Sequence, residues 1–123
     1  MRIRLYLLAS CLYSGLILFL SLANLNDVDI IKINGNDKLY HCVCYAIMAF
    51  LWSLYFSQRP ERFKNKQKLY IASTIIAFGI IIEYLQLFLT NYRSFDWWDV
   101  LANTIGVILG IFSFLILQKQ FNL

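Results

Sequence analysis

Four apolar runs constrain this chain most, because each is long enough to cross a lipid bilayer as a helix. They are Leu5–Asn24, Leu39–Ser57, Leu69–Leu89 and Val100–Leu117. A helix of about 20 residues crosses the hydrocarbon layer, and its backbone polar groups must all be bonded within the segment. In a chain of 123 residues that is 60% hydrophobic, the runs predict an all-α membrane protein. We expect a single domain over residues 1–123, folded as a four-transmembrane-helix bundle.

The charges between the runs predict how the helices are oriented. Eight of the eleven Lys and Arg residues fall on one side of a four-span topology, namely Arg2, Arg4, Arg59, Arg62, Lys64, Lys66, Lys68 and Lys119. The other side has three cations, Lys32, Lys38 and Arg93. Because basic loops stay in the cytoplasm, we predict that both termini are cytoplasmic. The basic loop at 59–68 is typical of contact with anionic lipid head groups, so we expect no nucleic-acid partner.

Each of the last three predicted helices carries a polar stripe along one face. At about 100° per residue, the stripe residues on each helix fall within an arc of about 100° or less. They are Asp37, Lys38, His41 and Tyr45 on helix 2, Glu83 and Gln86 on helix 3, and Asp99 and Asn103 on helix 4. Because successive helices alternate in direction, all three stripes lie in the outer half of the membrane, next to Arg93. The common depth predicts a shared pocket.

Glu83 is the least expected of these residues, since a charged side chain near the bilayer centre costs about 2.5–3.5 kcal/mol. Its side chain is too short to reach water, so it must face the bundle and be either protonated or paired. Lys38, His41 and Arg93 are the candidate partners, and a hydrogen bond between helices is the purely structural alternative. His41 follows Asp37 by four residues and could be oriented by it as a general base. His41 and Glu83 are therefore the candidates for proton transfer.

A metal site is a weaker interpretation of the same residues. His41, Glu83, Asp37 and Asp99 all offer ligand atoms for a divalent cation. One histidine with scattered acids is a weak signal, however. We therefore expect no metal and no other cofactor.

Helix 4 shows two features with structural roles. Asp96 is placed to cap its first turn, and the two tryptophans that follow fit an interfacial aromatic belt. Further along, Ala102, Gly106 and Gly110 repeat every four residues and form a small-residue seam. The seam predicts close packing of helix 4 inside the bundle. A contact between two copies, giving a homo-oligomer, is the alternative.

Taken in order, these motifs resemble the VanZ-like family of small bacterial integral membrane proteins. The pattern is Asp-Lys-x-x-His-x-x-x-Tyr, Glu-x-x-Gln, Arg, and Asp-x-x-x-Asn-x-x-Gly-x-x-x-Gly, and it covers about residues 37–110. It is met by Asp37, Lys38, His41, Tyr45, Glu83, Gln86, Arg93, Asp99, Asn103, Gly106 and Gly110. The resemblance implies four or five membrane helices in the bacterial inner membrane. It also implies a loose link to glycopeptide (teicoplanin) resistance, but no known reaction.

The function that we favour is an outward-facing polar pocket that binds or modifies a cell-envelope or lipid-linked molecule. Lys38 and Arg93 would hold an anionic head group, and Gln86 and Asn103 would orient it. Ligand binding is also expected of the remaining stripe residues, Asp37, Tyr45 and Asp99. Membrane lipids are the expected partners, with a lipid-linked or cell-wall molecule as the ligand.

Two other functions fit the same composition. A small proton-coupled transporter would use the membrane acid, although helix 1 has no ionisable residue between Arg4 and Asp27. An accessory subunit of a larger membrane complex would use the polar stripes only for assembly. Whether the protein is an enzyme is left open, because the chain has no nucleophile motif.

Overall fold

The computed structural model describes residues 1–22, 37–59, 65–89 and 95–121, and within these ranges it contains four α-helices and no strands. The helices are α1 (Arg2–Leu22), α2 (Asp37–Ser57), α3 (Asn65–Leu89) and α4 (Trp97–Phe121). All four are long and apolar enough to cross a membrane. The predicted all-α, four-transmembrane-helix architecture is thus confirmed. The cytoplasmic location of the termini still rests on the loop charges.

The helices extend beyond most of the apolar runs that predicted them. α3 begins at Asn65, four residues before its run, and α4 starts three residues before its run and ends four residues after it. A helix of 25 residues is about 37 Å long, which exceeds the hydrocarbon thickness of about 30 Å. The runs mark the part of each helix inside the hydrocarbon. The backbone remains helical into the interfacial layer, because each added residue continues the hydrogen bonds of the helix.

α2 and α4 form the most extensive helix pair among the described residues. Gly106 faces the backbone of Cys42, and Gly110 faces the backbone of Ala46, so closely that a Cβ atom at either glycine would overlap a carbonyl group. Both contacts advance by four residues, so the two helices run parallel. The predicted small-residue seam, in which Ala102 is also buried, therefore packs against α2 of the same chain.

The bundle is apolar outside and partly polar inside. Large apolar side chains point outward from every helix, as Leu12, Phe88 and Phe112 illustrate. The buried residues include five polar ones, Ser10, Ser53, Glu83, Gln86 and Asn103. A soluble protein rarely exposes so much contiguous apolar surface, whereas lipid tails cover such a surface without cost. This arrangement agrees with a bundle that lies in a bilayer.

Candidate functional site

The polar residues gather at the end of the bundle where α2 and α4 begin and α3 ends. Lys38, His41 and Tyr45 lie in the first turns of α2, and Glu83 lies two turns before the end of α3. The remaining members are Asp96, which precedes α4, and Asp99 and Asn103 in its first two turns. We call the set the polar cluster, and its members are Lys38, His41, Tyr45, Glu83, Asp96, Asp99 and Asn103.

Lys38 joins α2 to the start of α4. Its Nζ donates to Asp96 Oδ2 at 2.6 Å and also to Asp99 Oδ1. The other oxygen of Asp96, Oδ1, accepts a hydrogen bond of 2.9 Å from the backbone N–H of Trp98, which confirms that Asp96 caps α4. The Lys38 ammonium, and then the N–H of Trp98, hold the pKa of Asp96 below its usual range. Asp96 therefore carries a negative charge at neutral pH.

His41 lies between the side chains of Asn103 and Asp99. Its Nδ1 is 3.1 Å from Asn103 Oδ1, and its Nε2 is 3.7 Å from Asp99 Oδ2. An amide oxygen only accepts hydrogen bonds, so in this arrangement Nδ1 carries the hydrogen. In the neutral ring Nε2 then carries the lone pair, and it can donate to Asp99 only when the ring is protonated. Two residues of α4 thus fix the orientation of the imidazole, and Asn103 fixes the tautomer of its neutral form.

Glu83 is the most deeply buried acid among the described residues, with 1% of its surface exposed. Its Oε2 accepts a hydrogen bond of 3.4 Å from the backbone N–H of Asp96. Its Oε1 is also buried, and within the described ranges it has no hydrogen-bond partner. Lys38, one of the partners considered for Glu83, is engaged by the two aspartates instead. The second carboxylate oxygen of Glu83 is therefore available to a ligand.

The side of the polar cluster that faces the middle of the bundle is bounded by Tyr45, Asn103 and Gly79. A Cβ atom at Gly79 would lie 2.9 Å from Asn103 Nδ2 and 3.1 Å from Tyr45 Cε1. Both side chains thus pack against bare backbone of α3, one turn from Glu83. The sequence signal for Gly79 was its four-residue spacing from Glu83, which puts both on one face of α3.

Three of the predicted site residues need separate mention. Gln86 is buried on the same side of α3 as Glu83, and its Nε2 donates to the backbone carbonyl of Ser21 at 2.8 Å, so it links α3 to α1. Arg93 lies outside the described residues. Asp37 begins α2, but its side chain also lies outside them. The predicted contributions of Arg93 and Asp37 therefore stay predictions.

Comparison with known proteins identifies the family. The chain matches the family model described as VanZ/LLP1 over residues 5–118. It belongs to the VanZ/LLP1 family. The match extends beyond the motifs at about 37–110 and includes nearly all of the four helices. No curated protein and no solved structure matched the chain.

The geometry of this VanZ/LLP1 protein adds a member that the sequence interpretation left out of the site. Asp96 was assigned only to capping, yet it also binds Lys38 and donates its backbone N–H to Glu83. Its inclusion changes the charge of the polar cluster. Three carboxylates face one ammonium, so the described members carry a formal charge of −2 when all four are ionised and His41 is neutral. An anion therefore meets net repulsion from these members.

Three of these residues also bring nitrogen and oxygen atoms that can bind a metal close together. His41, Glu83 and Asp99 come from three different helices, and each brings a ligand-type atom to within 4.8 Å of the others. The sequence placed the residues at one depth, but it gave no distance between them. Their convergence is a property of the tertiary structure.

Proposed function

We propose that the polar cluster binds the head group of a lipid-linked or other cell-envelope molecule at the membrane interface. The observation that carries the proposal is the convergence of polar side chains from three helices around a buried carboxylate, at one end of a bundle with an apolar surface. Ionisable residues inside membrane spans are costly, and they commonly mark binding sites or ion pathways.

The surroundings of the cluster favour a ligand that stays in the bilayer. Trp97 and Trp98 are 67% and 68% exposed at the start of α4, and Phe88 is exposed at the end of α3. Exposed tryptophans concentrate at the level of the lipid head groups. The cluster thus lies near the depth at which a lipid-linked molecule presents its polar portion.

An apolar cavity farther along the bundle is compatible with the same class of ligand. It has a volume of about 340 Å³ and lies between α1, α2 and α3. Its lining extends from Phe78, adjacent to Gly79, to Phe56 and Tyr70 near the opposite end of the bundle. A space of this kind accommodates part of an acyl or prenyl chain.

The charge balance changes the role proposed for Lys38. Because Asp96 and Asp99 already neutralise its ammonium, Lys38 holds an anionic head group only by exchanging these partners. Arg93 remains the proposed anion-binding residue. His41 is the proposed proton carrier, since its orientation is fixed by Asn103 and its second nitrogen is available. Proton transfer to a bound molecule would make the protein an enzyme rather than a binding protein.

The test is mass spectrometry of the lipids that copurify with the protein in mild detergent. We expect a lipid species enriched over the total membrane extract, and we expect its loss from Arg93→Ala and Lys38→Ala. Lys66→Ala is the matched control, because Lys66 is exposed at the opposite end of the bundle, and it should retain the lipid. Identical lipid profiles in all four proteins would contradict the proposal. Equal purification yields exclude misfolding as the cause of a loss.

Proton-coupled transport is a second candidate, favoured by an oxygen of Glu83 that has no partner among the described residues and lies inside a membrane span. It is less well supported because Met48, Ile71, Ile75 and Phe114 fill the bundle interior with apolar side chains beyond the cluster. A transporter should show substrate flux in proteoliposomes that Glu83→Gln abolishes. If Glu83→Gln or His41→Ala instead lowers only the amount of protein in the membrane, the polar residues serve assembly, as expected of an accessory subunit.

A further inference from the structure

We infer that His41, Glu83 and Asp99 form a binding site for one divalent transition-metal cation of the Zn²⁺ or Mn²⁺ class. Each of α2, α3 and α4 contributes one of these residues, and their ligand-type atoms lie within 4.8 Å of one another. The observations behind it do not depend on the proposed lipid ligand, and a metal on His41 would take the place of the proton carrier proposed above.

The first observation concerns the imidazole. Metal-binding histidines usually donate the N–H of one ring nitrogen to an oxygen of a neighbouring group, and this leaves the other nitrogen for the metal. Asn103 Oδ1, 3.1 Å from His41 Nδ1, is such an acceptor. The other nitrogen, Nε2, is 3.7 Å from Asp99 Oδ2. His41 is therefore oriented as a ligand, with the hydrogen-bond acceptor of Nδ1 already in place.

The second observation is the buried carboxylate of Glu83. The side chain is 1% exposed, and Oε1 has no partner in the described part of the chain. A buried carboxylate oxygen without a partner is unfavourable, because its lost hydration is not replaced. A cation between Glu83 and His41 would supply that partner. The acid thus points to a ligand independently of the clustering of charges.

The third observation is that the two carboxylate oxygens of Asp99 face different neighbours. Lys38 binds Asp99 Oδ1, whereas Oδ2 faces His41. One oxygen is thereby held in place, and the other remains available to a metal. With its three carboxylates and Lys38 ionised and His41 neutral, the described cluster has a formal charge of −2, which one divalent cation would bring to zero.

The distances suit a small ion only after the side chains move. Zn²⁺ binds nitrogen and oxygen ligands at about 2.0–2.2 Å in a tetrahedral arrangement, so its ligand atoms lie about 3.3–3.6 Å apart. The ligand-type atoms of the three residues, which lie within 4.8 Å of one another, would have to approach by up to about 1–1.5 Å, through rotation of the side chains. One imidazole with two carboxylates suits Zn²⁺ and Mn²⁺ better than Mg²⁺, and the general order of affinities favours Zn²⁺. Three protein ligands leave a fourth position open for water or an anionic group.

The test is metal binding to the full chain, purified in detergent with a tag that contains no histidine and stripped of metal with a chelator. We expect one Zn²⁺ per chain by calorimetry and elemental analysis, weaker binding of Mn²⁺, and no binding of Mg²⁺ at the same concentrations. His41→Ala, Glu83→Gln and Asp99→Asn should each weaken Zn²⁺ binding at least about 10-fold. Asn103→Ala should weaken it by about 10-fold, as expected for a group that orients a ligand.

Two controls separate this site from other sources of zinc binding. Lys66→Ala changes an exposed charge at the opposite end of the bundle, and it should retain binding within about threefold. The variant in which Cys11, Cys42 and Cys44 are all serine should also bind one Zn²⁺, because its thiols are not ligands. Size-exclusion chromatography checks that each variant remains folded. The inference is overturned if the wild type binds no stoichiometric metal, if the three ligand variants bind as well as the wild type, or if a control variant loses binding equally.

Discussion

At the scale of single residues, the surroundings of Glu83 identify its hydrogen-bond partner, which the helical stripes alone did not. The acid was expected to be protonated or paired, with Lys38, His41 or Arg93 as its partner. Its one described hydrogen bond is to the backbone N–H of Asp96, while Lys38 binds two aspartates. Among the described residues the second oxygen of Glu83 has no partner, so this oxygen and Nε2 of the neutral His41 ring can both meet a ligand.

Gly79 gives a prediction at this scale. Gly79→Ala should lower the free energy of unfolding by about 1–3 kcal/mol, because the added methyl group would press on Asn103 and Tyr45. It should also displace the side chain that orients His41. Unfolding in SDS, followed by circular dichroism, measures the first effect.

Gly15 is the matched control for that substitution. It is also a helical glycine, but a Cβ atom there meets nothing within 4 Å. Gly15→Ala should therefore cause no loss of stability, and its higher helix propensity should help slightly. Equal losses from the two substitutions would show that Gly79 is not a packing contact for the cluster.

At the scale of helices, the parallel pair α2–α4 holds most of the polar cluster together. Lys38 and His41 come from α2, and their partners Asp99 and Asn103 come from the facing turns of α4. Farther along the same interface, the glycines of the seam let the two backbones approach closely. The seam thus brings together the two helices whose first turns carry these polar residues.

Gly106→Ala tests the seam. The methyl group would overlap the backbone carbonyl group of Cys42, which cannot rotate away as a side chain can. The two helices must then move apart. We expect the free energy of unfolding to fall by at least about 3 kcal/mol, which is more than for Gly79→Ala. Folded yield after detergent extraction and unfolding in SDS give the comparison. A Gly106→Ala protein as stable as the wild type would mean that α2 and α4 do not pack as described.

At the scale of the whole molecule, the fold separates an apolar exterior from one polar end. An even number of spans puts the two termini on the same side, and the polar cluster lies at the opposite end of the bundle. The loop charges predict that this end faces away from the cytoplasm. The direction matters for function, because it decides which leaflet supplies a lipid ligand.

Cysteine labelling on intact cells tests that orientation. In a chain with Cys11, Cys42 and Cys44 replaced by serine, Asn34→Cys should react with a membrane-impermeant maleimide. Glu61→Cys, in the basic segment between α2 and α3, should react only after the membrane is permeabilised. The reverse pattern would put the cluster on the cytoplasmic side. The polar cluster would then draw its ligand from the inner leaflet.

The sequence by itself determined the four membrane-spanning helices and the position of each polar residue along its helix. Run length, helical rise and the 100° step per residue depend only on the local backbone, so they can be read from one chain. The tertiary structure decided which stripes meet, because the rotation and neighbours of each helix depend on packing between helices. Because of that packing, Lys38 binds two aspartates and Gln86 binds the backbone of α1. It also puts Gly79 in contact with Asn103, and it brought ligand-type atoms of His41, Glu83 and Asp99 within 4.8 Å of one another.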